Sequence, residues 1–391
     1  MFRRAYDALS SFGLTIVILV LMLLVTWKGT LAQVDVGLFQ AQKKYFDSIY
    51  FTEDLFGIPV PVPGGYLLMG LLFLNLFLGG MLRLRRTRAT AGILVIHVGI
   101  AFLLVAGFVK FHHSTEGSIR FHAGQQRQEY TSYHEWEFVV AAPEGEGRWR
   151  EYVVPGDRFL NLPPSESLTF THPDLPFETR LSEVARNSTI RPEEGAGRTS
   201  QPVVNGFWIQ RLPLDKEAER NLVGAIVDVV PRDGTPAKGI VWGVQRAPFA
   251  AEIGGTTYAF DLRKKRYGLD FAVRLDRFKK TDHPGTESPK DFRSWVTKIE
   301  DGVEQQVEIS MNEPLRHKGY ILFQTAWDRP DAASNGEYYS VLAVVRNPSD
   351  QWPLYSCIII AAGLLLHFVR KLGRYAKAQA SQAAPTAGAT S

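Results

Sequence analysis

Residues 11–27, 65–82, 91–109 and 353–369 are apolar almost without interruption, and none of the four stretches holds an Asp, Glu, Lys or Arg. Each is long enough, at about 1.5 Å per residue, to cross about 30 Å of hydrocarbon as a helix with modest help from its flanks. The pattern predicts four transmembrane helices. Over residues 111–350 the period changes to two. Runs such as EWEFVVAA, LVGAIVDVV, LDFAVRLDRF, QQVEISM and GYILFQTAW are rich in β-branched and aromatic residues, and turns such as PRDGTP, EDGVE and SNGE separate such runs. These features predict antiparallel hairpins. The expected architecture is an α+β membrane protein, with four transmembrane helices and a large, mainly antiparallel β domain between helices 3 and 4.

The boundaries expected on this basis are an N-terminus at 1–10, helix 1 at 11–28, a loop at 29–64, helix 2 at 65–82 and a basic loop at 83–90. Helix 3 follows at 91–109, the β-rich domain at 110–352, helix 4 at 353–369 and a tail at 370–391. In the first loop, Phe39, Tyr45, Phe46, Ile49 and Tyr50 are spaced for a short amphipathic helix within 35–51. Pro59, Pro61 and Pro63 with Gly64 and Gly65 are expected to end it and turn the chain back. The polar tract at 187–202 offers the best internal boundary of the β domain, between two subdomains. Whether the strands form a barrel, a sandwich or two subdomains does not follow from their spacing.

Charge settles how the net +4 is read. Of the 44 Lys and Arg residues, ten flank apolar runs: Arg3, Arg4, Arg83, Arg85, Arg86, Arg88, Arg370, Lys371, Arg374 and Lys377. They act as topology signals rather than a nucleic-acid footprint, and they put both termini and the 83–90 loop on the cytoplasmic side. The loop at 29–64 and the β domain then face outward, extracytoplasmic or periplasmic. The first apolar run has no small-x-small cleavage pattern after it and reads as a retained helix. A single cysteine, Cys357, excludes an intrachain disulfide, a CxxC redox pair and a thiolate cluster. No Walker A, dinucleotide or G-x-S-x-G pattern is present.

Histidines are the candidate chemistry. His97 lies inside the third apolar run, nine residues beyond Arg88, hence about 13 Å deep. An imidazole there needs a hydrogen bond to another helix, an ion pathway or a metal. His367 is three residues before Arg370, near the edge, so the two differ in depth and make an awkward pair across one metal. Snorkelling explains His367 more simply. His112, His113, His122 and His134 follow the third run without the carboxylate or thiolate partners of a zinc site. His172, His283 and His317 are expected to be isolated in loops.

The segment VEISMNEPLRHKGYILFQTAWD at 307–328 resembles the signature of the ResB family of System II cytochrome c biogenesis proteins (ResB-like/CcsB), through Asn312, Pro314, Leu315, Gly319, Tyr320, Phe323 and Gln324. GTLAQ at 29–33, YFDS at 45–48, the third span with His97, and VVRNPSDQWPLY before the last helix are similar to that family too. The resemblance implies a membrane component that assists haem export and delivery, and covalent attachment of haem to CxxCH apocytochrome c. It would work with a tryptophan-rich ResC/CcsA-like membrane partner, and a thiol-reducing thioredoxin-like protein is a further implied partner. The chain would be a non-catalytic or co-catalytic subunit of a haem lyase, or cytochrome c synthetase. His97 would be an axial ligand of a transient haem b shared with the partner, with His367 the alternative and no metal beyond haem iron. The β domain would be a platform, and the seven signature residues would shape a turn and strand or bind a partner. The chain lacks the partner's tryptophan-rich motif and an obvious external haem site. Two rival readings stay open, a membrane adaptor with a protein-binding β domain and a haem-bearing electron-transfer subunit.

Overall fold

The structure, a computed structural model, describes residues 2–55, 57–145, 147–193, 201–286, 288–331, 334 and 336–383. It divides into a helical unit, Met1–Ser114 with Asn347–Ser391, and a β unit, Thr115–Arg346. The α+β architecture is the expected one.

The helical unit contains α1 (Phe2–Leu9), α2 (Phe12–Val36), α3 (Leu38–Ala41), α4 (Gly65–Asn75), α5 (Ala91–His113) and α6 (Trp352–Ala383). A π-helical segment, Leu76–Leu82, continues α4, and another, Gln42–Phe46, continues α3. Among the described residues, four helices are long and apolar enough to cross a membrane: α2, α4 with its extension, α5 and α6. Each of α2, α5 and α6 outlasts its apolar run, because a helix already anchored by a packed span propagates into polar sequence at little further cost.

Small residues let α5 and α6 approach closely. A Cβ on Gly99 would stand 2.6 Å from Ile360 Cγ1, and one on Gly363 would stand 2.8 Å from the Ile96 amide nitrogen. Ser356 Oγ donates to the Gly99 carbonyl at 2.6 Å and Ser349 Oγ to the Ala106 carbonyl at 2.9 Å, polar links of the kind that join helices in lipid. Asn75, buried in α4, donates to the carbonyls of Leu9 (2.7 Å) and Ser11 (3.1 Å) and accepts from Thr15 Oγ1 (2.6 Å). It thereby fixes the α1–α2 junction against α4.

The loop between α2 and α4 differs from expectation. After the short helix, residues Tyr50–Leu55 (β1) and Ile58–Pro63 (β2) form an antiparallel hairpin. Pro59, Pro61 and Pro63 occur at every second position, so they share one side of β2. The alternate residues supply the ladder on the other, and the missing N–H groups are not needed. Tyr45 Oη donates to Glu53 Oε1 at 2.5 Å and ties helix to hairpin. Burial and the Glu53 carboxylate push the Tyr45 phenol up to about 12.

In the β unit the strands are β3 (Thr115–Phe121), β4 (Gln126–Gly145), β5 (Arg148–Pro155), β6 (Leu168–Phe170), β7 (Phe177–Ala185), β8 (Ser188–Pro192), β9 (Phe207–Arg211), β10 (Gly224–Pro231), β11 (Ala237–Trp242), β12 (Phe249–Ile253), β13 (Thr256–Asp282), β14 (Pro289–Glu300), β15 (Val303–Ser310), β16 (Leu315–His317), β17 (Tyr320–Asp328) and β18 (Tyr339–Arg346). The large sheet has the order β15-β14-β13-β4-β3-β18-β17-β16, with β12 added to β13 and β5 to β4. A second sheet runs β11-β10-β7-β6.

Two cores result. One gathers Phe138, Phe177, Val227 and Phe260 between the sheets, and the other gathers Phe121, Phe271, Leu322 and Leu342. The long strands β4 and β13 pass through both, and register shifts at Lys264/Arg266 and Gly268/Val273 mark where their pairing is interrupted. Arg263 staples the sheet across strands, donating from Nε to Glu137 at 2.9 Å and from Nη1 to Glu151 at 2.7 Å. β8 lies within the first part of the polar tract at 187–202 and pairs as a hairpin with β9 beyond it; residues 194–200 of the tract lie outside the described residues.

Candidate functional site

His97 sits half-buried on α5, facing the π-helical extension of α4. Its Nδ1 is 2.7 Å from the Gly80 carbonyl oxygen. A carbonyl can only accept, so this contact puts the ring proton on Nδ1 and leaves Nε2 with an open lone pair. No partner for Nε2 occurs among the described residues.

The carbonyl is available for a local reason. Gly80 lies in the last turn of its helix, where carbonyls run out of intrahelical donors, and Arg83 N reaches back instead to Leu78 O. Glycine is required as well, since a Cβ at position 80 would stand 2.6 Å from His97 Nδ1. A π-helical turn, an orphan carbonyl and a side chain missing by necessity together orient one imidazole nitrogen outward. This is how a protein presents a histidine to a metal, with the second nitrogen held by a hydrogen bond. The residues present fit an axial haem ligand.

His367 belongs to a different contact. It packs against Gly92 of α5, whose Cβ would meet the His367 amide nitrogen at 2.7 Å, and its Nδ1 is buried without a hydrogen bond. Gly92 and His97 are five residues apart, about 7.5 Å along the helix. His97 faces α4 while His367 meets the start of α5, so the structure gives the two rings no shared partner. No group of three or more His, Cys, Asp or Glu able to hold a metal occurs among the described residues.

The remaining histidines mostly have local partners. His112 Nε2 is 2.9 Å from Tyr66 Oη, and His122 Nδ1 is 2.9 Å from the Ala123 carbonyl. His134 lies 3.4 Å from Glu219, and His172 lies 3.8 Å from Asp174. His317 is in β16 rather than a loop, its Nε2 2.7 Å from Glu300.

The signature residues build one corner of the β unit. Ser310 and Glu313 exchange backbone hydrogen bonds of 3.2 and 3.4 Å around Asn312, whose side chain is exposed. Pro314 is half-buried and Leu315 buried. Lys318 and Gly319 have φ of 48° and 78° and form the two-residue turn between β16 and β17, where left-handed backbone matches strand twist. Tyr320 is a core residue with Arg346 over its ring at 5.0 Å, and Phe323 is half-buried. Buried Gln324 accepts from Ser294 Oγ at 2.6 Å and Ser340 Oγ at 3.2 Å and donates to the Ala326 carbonyl at 2.7 Å. Six of the seven are absorbed by turn and core geometry, leaving Asn312 facing solvent.

The model of the ResB-like family matches residues 254–337, from the β12–β13 turn to the end of β17 and just beyond. That segment is ResB-like. A cytochrome c biogenesis protein CcsB of Synechococcus sp. is 26% identical over 154 residues, covering 38% of this chain and 35% of that protein. Protein NrfI of Wolinella succinogenes is 21% identical over 378 residues, covering 95% of this chain and 36% of that protein. The chain spans about a third of the length of these curated relatives. The ResB-like match contains all seven signature residues, whereas His97 lies outside it, in the region that the NrfI similarity reaches.

Sequence reasoning singled out His97 and missed Gly80. The adjacent Gly79 and Gly80 near the end of an apolar helix were the available signal, because paired glycines in a membrane helix mark a close approach. It also missed Lys264, whose ammonium donates to the Tyr133 carbonyl at 2.7 Å and lies 4.4 Å from the Trp136 ring centroid. Burial pulls Lys264 down to about 8.

Proposed function

We propose that this chain is a haem-handling membrane component of cytochrome c maturation, with His97 as one axial ligand. The orientation of the His97 ring carries the reading: Nδ1 is committed to Gly80 and Nε2 is open, in a chain with a ResB-like segment. A half-buried imidazole within an apolar span, with one nitrogen unused, is costly in a membrane unless something completes it. Haem iron, when bound, supplies that acceptor. The second axial ligand comes from a tryptophan-rich membrane partner, because His97 and His367 contact different helices.

The ten basic residues beside the apolar runs put the two termini and the 83–90 loop in the cytoplasm. The β unit is then extracytoplasmic and serves as the platform for the partner or for apocytochrome c. Holding a CxxCH peptide near haem raises its effective concentration without any bond being made by this chain.

The test is co-purification of the chain with its partner, as native protein and as His97→Ala and His367→Ala, read by the haem Soret band per complex and by the yield of c-type cytochrome. Loss of the band in His97→Ala alone supports the reading. A band lost in both variants favours an intrachain pair and electron transfer. Unchanged haem and cytochrome in His97→Ala would leave the chain an adaptor and end the proposal.

A further inference from the structure

Strand β13 outruns one of its two neighbours. Its pairing with β4 ends where Arg274 faces Gln126, and the last bonds on that edge join Leu275 to Gly124 and Gln125 at 2.8 and 3.0 Å. Its pairing with β14 continues through Arg277, Lys279 and Thr281 to Asp282. Among the described residues, 276–282 therefore has β14 on one edge and no strand on the other. A register shift between Leu275 and Arg277 stands at the start of this overhang, and such a bulge re-aims the strand that follows.

The overhang is anchored on one side and open on the other. Half-buried Phe278 packs against the second core, and Lys280 Nζ lies 4.4 Å from the Trp327 ring centroid and 3.0 Å from Asp282. Arg277, Lys279 and Thr281 alternate with these and are exposed. They line a cleft of about 450 Å³ together with Lys290, Asp291, Arg293 and Trp295 of β14.

The charge of this cleft is one-sided, with four basic residues in its lining against one acidic. Arg293 is already met by Asp291 at 2.7 Å and by Glu308 at 2.9 Å. Arg277 lies over the Trp295 ring, 3.7 Å from its centroid. Among the described residues, no carboxylate stands within ion-pair distance of Arg277, Lys279 or Lys290.

We propose that this overhang is a docking edge for an extended, acidic segment of a partner protein. The segment adds to β13 as a strand, its backbone hydrogen bonds supplying affinity and its side chains on one face supplying selectivity. Arg277 and Lys279 are two residues apart on a strand, hence about 7 Å. Carboxylates at every second position of an added strand repeat at that same spacing, and Lys290 widens the cationic face across β14. Cations along a free edge repel a second copy of the same edge and admit a strand of opposite charge. The one large apolar side chain in the lining is Trp295, whose face Arg277 covers, so a lipid chain finds little there to bury against. The surface asks nothing of haem and stands apart from the role given to His97.

The experiment follows the fluorescence anisotropy of a labelled peptide of alternating Glu and Thr mixed with the full chain in detergent. Binding is expected, and it weakens as added salt screens the exposed charges. Lys279→Ala and Lys290→Ala should each lower affinity about 2- to 5-fold. The double variant Lys279→Glu/Lys290→Glu should abolish binding at an unchanged melting temperature. Arg191→Ala, which removes an exposed charge on β8, should bind as the native chain does, and so should His97→Ala. Two further peptides, N-methylated on one or the other set of alternate amides, keep every charge, and one of them should bind about tenfold or more weakly for want of strand bonds. Native-like binding by Lys279→Glu/Lys290→Glu, or equal loss in Arg191→Ala, overturns the proposal. So does undiminished binding by both N-methylated peptides, or displacement of the peptide by inorganic phosphate or phosphatidylglycerol vesicles at matched ionic strength, the cleft then accepting any anion. Because His97→Ala is expected to keep the peptide, this surface and the haem reading fail separately.

Discussion

Replacing Gly80 with alanine disturbs the His97 ring without removing a group that would touch a ligand. The added Cβ would lie 2.6 Å from His97 Nδ1 and 3.0 Å from Cε1, so the ring must turn away from the Gly80 carbonyl. The lost hydrogen bond costs about 1 kcal/mol net, and alanine returns a similar amount through its better helix propensity, about 1 kcal/mol over glycine. Global stability should therefore change little. Haem affinity should not be spared, because removing the partner that orients a ligating histidine typically costs about 10- to 100-fold. Gly79→Ala is the control: its Cβ would meet the Ser10 carbonyl oxygen at 2.7 Å, straining the same π-helical segment without touching His97. In the complex with its partner, Soret absorbance per chain should fall for Gly80→Ala and persist for Gly79→Ala, with melting followed by tryptophan fluorescence. Equal haem loss in both variants, or full occupancy in Gly80→Ala, would refute the assigned role of the Gly80 carbonyl.

Lys264→Met should stabilise the β unit below about pH 8 and have progressively less effect as pH rises. Burial lowers the folded-state value from 10.5 to about 8, so between those values the unfolded chain holds the extra proton and native stability rises with pH. The shift corresponds to roughly 3 kcal/mol at neutral pH, and a flat difference between variant and native melting from pH 7 to 10 would contradict it. Gln324→Ala strips two serine hydroxyls and the Ala326 carbonyl of a buried partner. It should cost about 2–4 kcal/mol, read in denaturant unfolding, with amide exchange accelerating first in β17 and β18; uniform exchange would place the damage elsewhere.

The spans were legible because run length and absence of charge are what a bilayer selects. Their polar continuations were not, since Lys28 and Asp35 in α2 mark the end of the apolar run but not of the helix. Pro59, Pro61 and Pro63 read as a break, yet their spacing of two lets them share the unpaired side of β2. In the β unit the alternation identified strands, but not which of them pair. β4 and β13 serve two cores at once through interrupted registers, and no local pattern encodes that. Gly319 was legible as a turn-shaping residue, but Lys318, which takes a positive φ beside it, was not, since lysine carries no signal for that backbone conformation.

The two histidines at the α4–α5 seam differ in how much their residue types disclose. His97 announces itself as a polar ring inside an apolar run, but nothing in its neighbours reveals the free carbonyl that selects its tautomer. That carbonyl arises from the end of a π-helical segment seventeen residues earlier. His112 follows an apolar run beside Phe108 and Phe111 and looks like an ordinary juxtamembrane residue, until helix pairing brings Tyr66 to its nitrogen and leaves a cavity alongside. An acceptor that can only accept fixes His97 in a ligand-ready form. A phenol that can donate or accept leaves His112 either tautomer, so the contact to Tyr66 does not decide which of its nitrogens carries the proton.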